Sequence, residues 1–132
     1  MTTTHPVTEL NGTLLDTQDV VRDLLAHFPQ LGVATEVTVC MDKTVRVSIN
    51  PHHTRQPAAV LLAWAALLAH PKITGRRMDP MFTLVHVQGV HSEIRFTVTA
   101  EFGEPEITGL LHETGGDLTV HDLQQLQIAG VR

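Results

Sequence analysis

The chain has little with which to brace itself covalently and little positive charge with which to hold nucleic acid. One cysteine, Cys40, stands in 132 residues, so no internal disulfide can form, and a reducing compartment is the expected setting. Basic residues number nine against fourteen acidic ones, for a formal charge of −5. Arg76-Arg77 is the single adjacent basic pair. Nucleic-acid binders gather Lys and Arg because phosphate contacts dominate their affinity; no such gathering is visible, and nucleic acid is not expected as a partner. The longest apolar run, Ala58 to Ala69, falls short of the roughly 20 residues a membrane helix needs. The polar, threonine-rich start, Met1 to Asn11, lacks the basic-then-apolar pattern of a signal peptide. The expectation is a cytoplasmic chain with no membrane partner.

What is present suits one globular domain: 42% of residues are hydrophobic and 17% charged. Residues 1–13 read as a flexible arm and 14–130 as a single α+β domain. Asp16 or Thr17 can cap a helix whose stripe is Val20, Val21, Leu24, Leu25 and Phe28, stopped by Pro29 and Gly32. Val37, Val39 and Met41, then Val45, Val47 and Ile49, alternate with polar neighbours as two strands. A two-residue turn would put the two apolar sets on opposite faces. A three-residue loop, pairing Met41 with Val45 and Val39 with Val47, puts them on one, so the odd loop is predicted.

A helix capped near Thr54 should run to Ala69 or His70, with Val60, Leu61, Trp64, Leu67 and Leu68 on one stripe and Pro71 as its stop. Residues 72–80 read as a loop. Phe82 to Val87 is apolar on both faces, which marks an interior strand. Gly89 reads as a turn, and Ile94, Phe96, Val98 and Ala100 alternate as a strand with one wet face. The tail suggests a strand over 106–112, a turn at Gly115-Gly116, and a short helix from Val120 to about Ala129 opened by a near capping box, Thr119 and Asp122. The order α-β-β-α-β-β, with a further strand and helix, predicts an antiparallel-rich sheet covered by helices on one face.

If the second and third strands are parallel neighbours joined by the central helix, the His52-His53 segment and the Gly89–His91 turn meet at one end, with His86 and Glu93 near. Imidazoles and a carboxylate are the ligands of zinc and other transition metals, so His52, His53 and His91 form the candidate metal site; no other cofactor is implied. Set against this, the chain has no H-E-x-x-H and no C-x-x-C, and surface histidines beside a helix start give the same pattern. His86, inside an apolar strand, reads as a hydrogen-bonded sheet histidine. Arg76 and Arg77, with Arg55, are candidate grips for a phosphate or carboxylate. Cys40 lies mid-strand with no histidine near in sequence and reads as a packed residue, not a nucleophile. No catalytic constellation stands out, and an enzyme is not the expected reading.

The central helix and the two-faced strand carry more apolar surface than one small layer hides. A homo-oligomer meeting through Leu61, Trp64 and Leu68 is therefore expected. The stretch from Val20 to about Ala100 resembles short actinobacterial proteins, chromosomal and mobile-element encoded, through Leu24-Leu25-Ala26-His27-Phe28-Pro29, the Val45/Val47 strand, Ala63-Trp64-Ala65 and Val85-His86-Val87-Gln88-Gly89. That resemblance implies no activity. The element order is also similar to tail-completion subunits of long-tailed phages, which implies a structural subunit of a phage-like particle. The first reading is a small accessory or regulatory module that acts by binding another protein. A histidine-based metal or small-ligand site and a phage-like subunit are the alternatives.

Overall fold

The computed structural model describes residues 6–32, 35–40, 42–49, 57–79, 82–103 and 115–130. Helix α1 (Pro6–His27) and a 3-10 turn (Pro29–Gly32) lead into β1 (Thr35–Cys40) and β2 (Thr44–Ile49). Helix α2 (Pro57–Leu67) follows, then β3 (Ala69–Asp79), β4 (Phe82–His91), β5 (Ile94–Gly103), a two-residue β6 (Asp117–Leu118) and α3 (Val120–Gly130). The six strands form one sheet in the order β1-β2-β5-β4-β3-β6. One pairing, β2 with β5, is parallel, and the other four are antiparallel. The chain is a single α+β domain.

One side of every long strand feeds a common core. Val45, Val47, Ile49, Val85, Val87, Phe96, Val98 and Ala100 are buried together with Val21 and Leu24 of α1, Leu61, Trp64 and Leu68 of the α2 region, and Leu123 and Leu126 of α3. All three helices therefore pack on the same face of the sheet. Trp64 is fully buried and its ring lies 5.5 Å from that of Phe96, tilted by 37°, a geometry that favours aromatic pairs. Helix α3 packs along the alanine-rich α2. Leu61, Trp64 and Leu68, expected at an interface, are used up in the chain's own core, with 0%, 0% and 4% of their surface exposed.

The odd β1–β2 loop is present one residue earlier than expected, which moves the strand register by two residues and keeps the faces. Cys40 pairs with Thr44, Val39 with Val45 and Val37 with Val47, so the loop is residues 41–43 and all the paired valines share the core side. Lys43 takes the left-handed conformation (φ 59°) that three-residue loops use at this position. The capping box at α3 is reciprocal: Thr119 N–H donates to the Asp122 carboxylate at 2.8 Å, and Asp122 N–H donates to Thr119 Oγ1 at 3.2 Å.

Several expectations change. Residues 6–13, read as arm, are the first turns of α1; a polar stretch with a weak apolar stripe gave no signal for them. Residues 72–80, read as loop, belong mostly to β3. Pro71 and Gly75 disguise that strand, and of its side chains only Ile73 reaches the core. Pro71 is tolerated where the β3–β4 register shifts, between Ala69 and Lys72. The tail strand expected over 106–112 lies outside the described residues.

Gly89 is not a turn residue. The turn is Ser92-Glu93, both left-handed (φ 52° and 66°), the two-residue hairpin geometry that matches strand twist. Gly89 sits inside β4, where the chain leaving α2 passes over it: a Cβ there would stand 2.6 Å from Leu68 Cβ and 3.1 Å from the Ala69 carbonyl oxygen. Gly89→Ala should therefore cost about 1–3 kcal/mol of stability, the usual penalty of overpacking, read as a lowered urea midpoint with an unchanged slope.

Candidate functional site

The parallel β2–β5 pairing decides what meets what. It places Thr44 beside Arg95, Arg46 beside Thr97 and Ser48 beside Thr99. Since β4 runs opposite to β5, His91 pairs with Ile94 and lies at the end where β2 begins. The strand after α2 is β3, and it runs parallel to β2 with β5 and β4 between them. The strand taken as third in sequence is thus the fourth, and it runs against β2. Ile49, the last described residue of β2, is level with Ala100 and Val85, six residues along from the His91–Ile94 pair. His52, His53 and Arg55 themselves lie outside the described residues.

His91 borders a groove of about 340 Å³ between the α1 C-terminus and the β4–β5 turn, with Asp23, His27 and Phe28. His27 Nδ1–H donates to the Asp23 carbonyl at 2.8 Å, which fits a histidine in a last helical turn. Among the described residues, no three His, Cys, Asp or Glu side chains are placed to hold a metal ion. Arg76 and Arg77 are exposed on β3 instead of on a loop. They alternate in side, and only Arg76 shares the face of Lys72 and Thr74.

The side of the sheet away from the helices is the larger feature. Among the described side chains of its outward set none is buried: Thr38, Arg46, Ser48, Arg95, Gln88, Lys72, Arg76 and Glu101 are exposed, and Thr44, Thr97, Thr99, His86, Leu84 and Thr74 are half-buried. Strand register arranges them in rows. Thr38, Arg46, Thr97, Gln88 and Lys72 form one; Glu36, Ser48, Thr99, His86 and Thr74 form the next. Toward the His91 end the face dips into an open depression of about 480 Å³. Arg46, Lys72 and Arg95 reach it, with His70, Gln88 and Thr97 beside them. Among the described residues Asp42 is the one acid on its lining. The Asp42 carboxylate accepts a hydrogen bond from the Thr44 hydroxyl, which with the charge of Arg95 holds its pKa below the ordinary value. Among the described residues none of the three cations is engaged in a salt bridge.

Sequence reading missed this group. Arg46, between Val45 and Val47, and Arg95, between Ile94 and Phe96, sit at outward positions that strand alternation makes visible. The gathering of all three cations depends on a parallel pairing between residues some fifty positions apart, and on β3, whose residues 72–79 look like a loop in the sequence.

His86 lies in the middle of the same face, as a hydrogen-bonded sheet histidine. Its Nδ1 and Thr99 Oγ1 share a 2.8 Å hydrogen bond. Partial burial, and secondarily the charge of Arg76, push its pKa below 6.5. No protein-family model, no curated protein and no solved structure matches the chain.

The His86 shift sets a pH dependence. As pH falls, the unfolded chain takes up this proton first, so the stability linked to His86 is complete above 6.5 and declines as pH drops through 6.5 toward the folded value. Urea midpoints of the wild type should fall more between about pH 7.5 and about pH 5.5 than those of His86→Gln. In an NMR titration, Arg76→Ala should raise the His86 pKa only part of the way to the ordinary value, because the larger cause, burial, remains.

Proposed function

We propose that this protein is a binding module, an accessory or regulatory subunit that docks a second protein on the uncovered face of its sheet. The observation that carries this reading is the face itself: five long strands present rows of Arg, Lys, Thr, Ser and Gln outward, with no helix over them among the described residues. Antiparallel-rich sheets commonly leave one face to water. Here that face is also dished and lined by long side chains with several donors.

Its test is affinity capture from the source cells with two baits, the wild type and Gln88→Phe/Thr97→Phe. Those positions are cross-strand partners, so two phenylalanines raise a ridge across the depression while keeping good strand formers in place. The expected result is a stoichiometric protein retained by the wild type and lost from the double variant. Equal recovery by both baits removes the face from the reading.

A second reading, self-association, is favoured by a different feature. Among the described residues, strand β1 is paired on one side only. Its six residues carry a single charge, Glu36, and no proline, so little in it blocks pairing with another edge. Light scattering at tens of micromolar should then give twice the 14.5 kDa chain mass; a monomer at that concentration ends this second reading.

A further inference from the structure

The outer face of the sheet gathers Arg46, Lys72 and Arg95 at one end. We infer that its cationic end, Arg46, Lys72 and Arg95, takes an acidic segment of the partner protein in extended form, laid across the strands. This rests on the docking reading and specifies its occupant.

Charge supplies the first argument. The chain carries −5 overall, yet among the described residues the depression is lined by three cations and one acid. The acid is already engaged by Thr44, while the two guanidinium groups and the ammonium make no salt bridge among the described residues. Guanidinium groups pair carboxylates in bidentate fashion, and Gln88 and Thr97 add donors between them.

Spacing supplies the second. Arg46, Thr97, Gln88 and Lys72 lie in one row, so Arg46 and Lys72 stand three strands apart, about 14 Å at the usual interstrand distance. A single phosphate or small carboxylate spans only a fraction of that. An extended chain covers it in about four residues, and acids at alternate positions project to one side about 7 Å apart. Arg95 lies one strand over and two residues along from Arg46, roughly 8 Å away and within reach of the same segment.

Shape and composition supply the third. The depression is open and shallow, unlike the enclosed clefts that bury small ligands. Among the described residues no exposed Phe, Tyr or Trp lines it; Phe96, which borders it, is 1% exposed. Single-stranded nucleic acid draws much of its affinity from stacking on such rings, so a protein segment is the better fit.

The experiment uses the full chain and a fluorescein-labelled heptapeptide, Gly-Glu-Ser-Glu-Ser-Glu-Gly, followed by anisotropy at low salt. The glutamine version of the peptide, inorganic phosphate as competitor and a labelled oligothymidylate are the comparison arms. Binding of the glutamate peptide, absent with glutamine, unaffected by equimolar phosphate and weakened at least about tenfold in Arg46→Gln/Lys72→Gln/Arg95→Gln, is the expected result. The triple variant alters exposed side chains only, and an unchanged urea midpoint shows that it folds. No peptide binding at millimolar concentration, equal binding by the triple variant, or tighter binding of oligothymidylate overturns the inference. If the peptide fails while the phenylalanine ridge still abolishes capture, the acidic occupant is wrong and docking on the face stands. If both fail, the underlying reading goes too.

Discussion

The parallel register of β2 against β5 is the constraint on which the rest of the molecule depends. It joins the β1–β2 hairpin to the strands that follow α2, and it aligns Val45 with Phe96, Val47 with Val98 and Ile49 with Ala100. Every one of those six side chains is buried. A slip of one residue would turn the β2 set outward and bring Arg46 and Ser48 under the helices. The same register that closes the core therefore spaces the charges outside it. Core and charged face are two results of one alignment.

That coupling explains how the helices are deployed. A parallel pairing needs a long return path, and α2 supplies it, passing behind β5 and β4 before the chain enters the sheet again as β3. The return is tight where it ends. Leu68 and Ala69 press on Gly89, His70 takes a left-handed conformation (φ 52°), and the β3–β4 register shifts just beyond. These irregularities lie next to the depression that His70 and Lys72 line. The bend that lets α2 hand over to β3 also shapes the dished end of the outer face.

Elements with strong periodicity were legible in the sequence. The alternation of β2 and β5, the stripe of α2, the odd loop after β1 and the capping box of α3 all rest on short-range rules that a single segment satisfies alone. β3 was not legible, because Pro71 and Gly75 look like breakers and because a strand with one core residue carries almost no apolar signal. Missing it misplaced the histidines: with β3 absent, β4 took its place beside β2, and His91 was drawn toward the exit of β2 instead of its start. The cationic end went unseen for the same reason. Arg46, Lys72 and Arg95 are scattered in sequence, and only nonlocal pairing brings them together.

The order of strands across the sheet also bears on how the chain comes together during synthesis. β5 is central in space but late in sequence: Thr44 waits for Arg95, fifty-one positions downstream. Until then the inner edge of the β1–β2 hairpin is bare, and a two-stranded ribbon is marginal in water. Distant pairings of this kind slow folding and lengthen the exposure of unpaired edges. A ribosome paused before β5 emerges would therefore leave an apolar hairpin and an oily helix without their shared partner. This is a fold that gains little from growing one strand at a time and much from the arrival of a single late one.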